Sequence, residues 1–334
     1  MKALILAPFA DGPLSELRDE VEVVVESWTR RPSGLLDPEE LGQRLDNENF
    51  DAVIVEADFL FAETFEAAPR LAFAGICRSA TNQIDVEAAT ERGVVVVNTP
   101  GRNAPAVAEL TLGLMLAVSR RIVETDRRVR RGEWTSPTGA YLEMRGSELS
   151  GHTLGIIGLG AIGRRVAQLA NAFGMHVLAY DPFVKPADSE RAGATWCAFD
   201  LLLESADYLT LHAPAPLDGK PLLDAARLSQ LKSGAVLVNT AAAELVDQSA
   251  MIEALRNGRL AAAGLDVFTS HPIESGSALL AMENVVLTPH IGGATDGAVF
   301  RHSAMMATDL IRFQNGERPA NLVNPEVWER RRGA

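Results

Sequence analysis

The 334 residues are 47% hydrophobic and 22% charged, an ordinary composition for a soluble globular protein and enough chain for two domains, each with its own core. A formal charge of −13 argues against nucleic acid or an anionic membrane as the main partner, because phosphate binding needs a cationic surface. Two cysteines give no disulfide framework, and the apolar start at residues 1–7 is broken by Pro8, too short for a signal peptide or membrane span; a cytoplasmic protein is expected.

Residues 1–100 carry a repeating strand and helix rhythm, with strands predicted at 3–6, 21–25, 52–55, 71–76 and 94–97 and helices at 38–45, 63–68 and 86–91. No phosphate-type glycine loop occurs there, so the segment reads as an open α/β domain for substrate, or as a lid. From Asn103 a helical pattern runs through Arg131, with Val107, Leu110, Leu114, Leu116 and Val118 making a broad apolar surface. That breadth asks for burial against more than one domain face, and a dimer interface is the expectation. The basic run Arg127, Arg128, Arg130, Arg131 reads as the solvated end of that helix, and 132–150 as a loop-rich connection.

The apolar run 154–157 then enters a loop spaced Gly158-x-Gly160-x-x-Gly163, and an amphipathic stretch leaves it with Val166, Leu169, Ala170 and Phe173 on one face. Gly174 ends the helix, and a second strand at 177–179 stops at Asp181, completing one βαβ unit. Gly158 permits the turn, Gly160 lets the backbone approach a pyrophosphate, and Gly163 lets helix pack closely on strand, while the helix N-terminus offers unpaired N–H groups. Asp181 stands where a carboxylate accepts hydrogen bonds from the adenosine ribose and repels a 2′-phosphate, so NAD is predicted over NADP.

The alternation continues through helices at 201–205, 225–231 and 249–257 and strands at 208–211, 235–238, 261–267 and 285–288. Open parallel sheets bind ligands beyond the carboxyl ends of their strands, so Asp181, His212, Thr240, Asp266 and His290 are predicted to face one crevice. A helix at 298–314 returns towards the first domain, and 321–325 reads as an extended tail on it.

These residues resemble the D-isomer-specific 2-hydroxyacid dehydrogenases along nearly the whole chain. The resemblance rests on Thr81-Asn82-Gln83-Ile84-Asp85, Asn98-Thr99-Pro100, Val107-Ala108-Glu109, the run 158–163, Tyr180-Asp181, Leu211-His212, the runs 237–241 and 265–268, and Thr288-Pro289-His290. It implies an α/β fold of two Rossmann-like domains with parallel sheets, one flavodoxin-like and one NAD-binding, and an interdomain cleft. The substrate or lid domain would be discontinuous, 1–101 with 291–334, around an NAD-binding domain, 102–290, with a homodimer made by the nucleotide domains. The resemblance places Thr111, Gly158, Gly160, Ala161, Ile162, Gly163, Asp181, His212, Thr240, Ala242, Asp266, His290 and Gly293 against NAD. It places Arg78, Ser79, Ala80 and Asn103 at a small-molecule substrate.

The family's catalytic set is an arginine that binds the substrate carboxylate, a histidine that moves the hydroxyl proton and a glutamate paired with that histidine. The histidine is His290. The family's Asn-x-Ala-Arg-Gly appears here as Asn239-Thr240-Ala241-Ala242-Ala243, and its Asp-Val-Phe-x-x-Glu-Pro as Asp266-Val267-Phe268-Thr269-Ser270-His271-Pro272, so Ala242 and His271 replace the arginine and the glutamate. Hydrogen bonds from arginine to a carboxylate are worth about 1.5–3 kcal/mol each, and losing a donor aimed at the reacting oxygen costs about 10²–10³ in rate. An ordinary 2-keto acid is therefore expected to be a poor substrate unless another cation stands in. Arg78, in the loop after the strand at 71–76, is the candidate, with a surface role capping that strand as the alternative. His271 joins His290 as a candidate catalytic residue; a glutamate stabilises imidazolium, whereas a second imidazole does not. A two-histidine metal site lacks a third ligand at suitable spacing, so no metal is expected. Three readings follow: an NAD-dependent oxidoreductase with a remodelled substrate site, which is preferred; a weak or inactive NAD-binding sensor or scaffold with the same fold; and an active site altered by design.

Overall fold

Short runs of aliphatic residues, buried on both faces, set the first sheet. The computed structural model describes residues 1–31 and 34–333, in two compact units: Met1–Asn103 with Ala294–Ala334, and Ala104–Gly293. In the first unit β1 (Lys2–Ile5), β2 (Glu22–Val25), β3 (Ala52–Val55), β4 (Phe73–Ile76) and β5 (Val95–Val97) form a parallel sheet in the order β2-β1-β3-β4-β5. Every residue of β3 and β4 is buried, the pattern of a parallel sheet covered by helices on both faces. Leu14 and Leu17 of helix Asp11–Glu20 pack over one face with Met306, Leu310 and Phe313 of helix Asp296–Gln314. Leu41, Leu45, Phe65 and Ala89 cover the other. The second of these helices lies close on the sheet because β4 carries Gly75, where a Cβ would stand 2.7 Å from the Met306 sulfur.

The end of the chain is stitched to β5 as an extended segment. Leu322 bridges Val97 antiparallel, and the buried Asn324 side chain accepts from Val96 N (2.9 Å) while donating to Val94 O (3.0 Å).

In the second unit β6 (Thr153–Ile157), β7 (His176–Tyr180), β8 (Thr195–Trp196), β9 (Tyr208–Leu211), β10 (Ala235–Asn239), β11 (Leu260–Leu265) and β12 (Val285–Leu287) form a seven-stranded parallel sheet, β12-β11-β10-β9-β6-β7-β8. Strand order reverses between β6 and β9 here, and between β1 and β3 in the first unit. In such sheets the ligand crevice opens at the reversal, outside the carboxyl ends of the strands.

Two local expectations are corrected, and one helix stands where none was predicted. The helical pattern from Asn103 to Arg131 is two helices, Ala104–Ser119 and Ile122–Arg130, broken where Arg121 takes a left-handed φ of 52°. Its guanidinium is held by Glu124 (2.7 Å) and donates to Glu143 O (2.5 Å), which fixes the corner without glycine or proline. The connection at 132–150 contains helix Pro137–Glu143, started by proline in its first turn and by Ser136, whose hydroxyl accepts from Gly139 N. Helix Asp11–Glu20 escaped notice because Gly12-Pro13 reads as a turn, although proline is tolerated in a first turn. The burial demanded by Leu114 is met inside the second unit, where it shares a core with Leu112, Met115, Val166 and Ala170. Uncovered apolar surface lies instead beyond the break, on Ile122, Val129, Trp134, Tyr141 and Leu142.

Candidate active site

β6 ends at Ile157 and the chain turns at Gly158, whose φ of 93° suits glycine; a Cβ there would meet the His212 carbonyl at 2.7 Å. A Cβ on Gly163 would lie 2.1 Å from Gly158 O, whereas one on Gly160 would meet no atom within 4 Å. Two of the glycines thus satisfy the protein's own packing, and the third leaves open space above the loop. Helix Ala161–Ala172 starts there, with Ala161 and Ile162 in its first turn, so its unpaired N–H groups border that space. Asp181, just past β7, accepts from Leu159 N through Oδ2 and from Phe183 N through Oδ1, both at 2.8 Å, which fixes the carboxylate beside the glycine turn.

Across the strand reversal, His212 Nε2 lies 3.1 Å from Thr210 Oγ1, while its Nδ1 is buried without a hydrogen-bond partner. Burial pushes its pKa down to about 3, so the ring is neutral and holds an unsatisfied nitrogen at the end of β9. Open space over Gly160, a helix N-terminus, a carboxylate after β7 and this unpaired nitrogen together fit a dinucleotide.

Further along the same edge, Asn239 shapes the turn after β10, accepting from Ala241 N (3.0 Å) and donating to Ala242 O (2.7 Å). Thr240 meets Thr111 at 3.1 Å, hydroxyl to hydroxyl. Asp266, 1% exposed at the end of β11, accepts from Thr288 Oγ1 (2.5 Å), Ile291 N (2.9 Å) and Gly292 N (2.8 Å). That clamp holds the turn that carries His290, which takes a φ of 56°, a region rarely adopted by residues with a Cβ. Gly293 follows, half-buried. His290 Nδ1 lies 3.0 Å from His271 Nε2, the ring centroids 5.0 Å apart, and both side chains are exposed.

In the first unit Arg78 follows β4 by two residues, and its Nε donates to Glu56 O at 2.8 Å. Loss of water lowers its pKa below the usual arginine value, with Glu56 opposing and Arg102 adding to the shift. Ser79 ties this loop to the turn after β5, accepting from Gly101 N (3.1 Å) through its hydroxyl and from the Asn98 amide (2.7 Å) through its carbonyl. Ala80 is exposed and Asn103 half-buried.

Sequence reading missed the cluster behind Arg78. Arg102 pairs with Glu56 at 2.8 Å, both side chains 11% exposed, and its Nη1 lies 3.0 Å from Nδ1 of the fully buried His302. Trp28 Nε1 donates to the other Glu56 oxygen (3.1 Å). Burial lowers the pKa of His302, with its bond to the Pro8 carbonyl opposing, so the neutral ring donates from Nε2 to Pro8 O (2.7 Å) and accepts from Arg102 at Nδ1. The position of Glu56 directly after β3, at the strand reversal, was the one hint available.

The second unit also holds a cavity of about 700 Å³, lined by Ser119, Arg128, His152, Asp207, Tyr208 and Lys232 among others. His152, Asp207 and Gly234 stand just before β6, β9 and β10, so this cavity opens at the amino edge of the sheet, opposite the glycine loop.

Residues 112–292 match the family model described as D-isomer specific 2-hydroxyacid dehydrogenase, NAD binding domain. The chain belongs to this family. It is 41% identical over 270 residues to a glyoxylate reductase of Korarchaeum cryptofilum, covering 81% of each chain. Similarity to a glyoxylate reductase of Thermococcus onnurineus is 37% over 332 residues, 98% of this chain and 96% of the other. Among solved structures, D-lactate dehydrogenase with NAD+ from Lactobacillus jensenii superposes with a TM-score of 0.79 at 27% identity, covering 97% of this chain and 99% of that one. The protein is an NAD-dependent oxidoreductase of the 2-hydroxyacid dehydrogenase type. In this dehydrogenase the glycine turn, the helix Ala161–Ala172 and Asp181 are the residues suited to hold NAD.

Proposed function

We propose that this dehydrogenase interconverts a small 2-keto acid and its 2-hydroxy acid, with His290 moving the proton and Arg78 binding the carboxylate that Ala242 leaves without an arginine. The observation that carries this reading is the Asp266 clamp, which holds His290 in a strained conformation on the same sheet edge as the glycine loop. The glycine turn, the N-terminus of helix Ala161–Ala172 and Asp181 would hold NAD(H), which when bound would supply or accept the hydride. His290 gives a proton to the substrate oxygen in reduction and removes it in oxidation. Thr111, His212, Thr240, Ala242, Asp266 and Gly293 flank the cofactor, and Ser79, Ala80 and Asn103 join Arg78 around the substrate. A small 2-oxo acid of the glyoxylate type is the first candidate, on the names of the two relatives.

The test follows NADH absorbance with a panel of 2-keto acids for the native protein, Arg78→Ala and an Ala242→Arg, His271→Glu double variant. Turnover by the native protein, with KM raised about 10- to 100-fold in Arg78→Ala, matches one lost charge-assisted hydrogen bond. Activity confined to the double variant would overturn the reading in favour of a nucleotide-binding protein that has lost its chemistry.

A homodimer joined through the second unit belongs to the same proposal. Ile122, Val129, Trp134, Tyr141 and Leu142 expose half or more of their surface on neighbouring segments, and the 700 Å³ cavity beside them carries both arginines and carboxylates to receive a second copy. Sedimentation at micromolar concentration should give twice the chain mass. A cytoplasmic location is also proposed, supported by two buried unpaired cysteines and by the lack, among the described residues, of a helix long and apolar enough to cross a membrane.

A further inference from the structure

A carboxylate beside a catalytic histidine can only accept the Nδ1 proton. An imidazole in that place can donate or accept, and its second nitrogen can carry a proton in or out. His271 Nε2 sits 3.0 Å from His290 Nδ1, and its exposed ring has no hydrogen bond from Nδ1 among the described residues, so that nitrogen faces water. The nearby carboxylate, Asp266, is occupied by three donors in the turn. We propose that His271 is the solvent end of a two-histidine proton relay, acting through His290 on the substrate oxygen. The proposal rests on the dehydrogenase reading above.

The protons balance without charging either ring. In reduction, His290 Nε2–H gives its proton to the substrate oxygen, and the O–H bond forms as the N–H bond breaks. His290 Nδ1 then takes the proton from His271 Nε2, and His271 Nδ1 takes one from water, leaving hydroxide for the buffer. Each ring passes from the Nε2 to the Nδ1 tautomer in that event, and in the resting protein the two tautomer sets interconvert along the same path, with water as the outer proton donor and acceptor. Oxidation runs the same path backwards, and water reaching His290 after product leaves restores the starting tautomers. A glutamate at position 271 offers no such path, because it cannot hand on a proton while remaining an acceptor. This dyad shuttles protons by exchanging tautomers. The clamp on the His290 backbone is what makes the path repeatable, since it fixes one ring while the other meets solvent.

Two measurements on the full chain test the relay. In protein labelled with ¹⁵N-histidine and free of cofactor, the relay predicts that His290 Nδ1 and His271 Nε2 resonate at averaged shifts between protonated and bare nitrogen, and that His290 reverts to one fixed tautomer in His271→Phe. Fixed tautomers in the native protein overturn it. With NADH and the best acid of the panel, His271→Ala should turn over at least about tenfold more slowly, and added imidazole should restore most of the loss, as expected when a proton-transfer group is removed. Unchanged turnover in His271→Ala, or a loss that imidazole leaves untouched, overturns the relay as well. Should the native protein turn over no acid while the averaged shifts stand, the dehydrogenase reading fails and takes the relay to substrate with it, leaving a proton-sharing pair; fixed shifts with normal turnover sink the relay alone.

Discussion

At the carboxyl edge of the seven-stranded sheet the surface suited to NAD is made of main chain, with Gly158, Gly160 and Gly163 and a helix N-terminus, while at the edge of the five-stranded sheet the proposed substrate surface is made of long side chains, Arg78 backed by Arg102, Glu56, His302 and Trp28. At Gly158 and Gly163 that surface tolerates almost no change, since an added Cβ lands on backbone, and at Gly160 a Cβ would take up the open space itself. A side-chain surface can be retuned one residue at a time without disturbing a strand. Ala242 and His271 belong to the second kind although they sit on the rim of the seven-stranded sheet, because they lie in turns after the strands and not in the glycine loop.

The sharpest way to break this contrast is Arg102→Met. It leaves Glu56 largely buried beside an uncharged neighbour, and removing one partner of a buried pair costs about 3–5 kcal/mol, here nearer the lower figure because both side chains keep some water. Urea unfolding should show that loss with NADH affinity unchanged, and an Arg102→Met, Glu56→Gln variant should recover part of it. Gly163→Ala is the counterpart on the other edge. With its Cβ 2.1 Å from Gly158 O, the loop must shift, and NADH affinity by fluorescence titration should fall about 100-fold, some 2.7 kcal/mol. An unchanged affinity would mean that the glycine loop has slack the geometry denies.

Smaller effects sharpen the picture. Asp181→Ser should narrow the preference for NADH over NADPH by about tenfold, measured as the ratio of the two dissociation constants, by removing the like charge that a 2′-phosphate meets. A last expected effect concerns acid. His212 titrates near 6.5 when unfolded but only at about 3 when folded, so between those values the unfolded chain binds more protons and stability falls as pH drops. Burial lowers His302 in the same direction. Unfolding midpoints at pH 7, 5 and 4 should therefore decline less steeply in His212→Asn than in the native protein.

What could be read from sequence divides along the same line. The glycine loop, the strand Tyr208–Leu211 and the helix Val86–Glu91 were legible because spacing and hydrophobic period are local properties. The family resemblance pointed to His290 and to the two replacements beside it, but not to the 3.0 Å contact between the histidines. Arg102 and His302 stayed hidden because their contact joins residues 200 positions apart, and no period in the sequence links them. Asp266 stood out as a strand-end carboxylate facing the cofactor, yet its three hydrogen bonds into the His290 turn are visible only in three dimensions. The break at Arg121 was illegible for a different reason: an arginine in left-handed conformation has no sequence signature, and it is held by an ion pair within its own helix and by a hydrogen bond to a backbone carbonyl of a later one.

Helix Asp296–Gln314 has a consequence for how the protein is made. The five strands of the first unit leave the ribosome early, but Met306, Leu310 and Phe313, which cover one face of their sheet, follow only after the whole second unit, about 200 residues later. At roughly 5–20 residues per second that delay is on the order of 10–40 s. During it Ile5, Phe73 and Val95 have only Leu14 and Leu17 of the early helix as part of their cover, while the second unit, contiguous in the chain, can close its own core. Newborn chains of this protein should therefore carry a finished nucleotide fold beside an open, sticky half-sheet, and a chaperone that captures them should be found on the earlier segment.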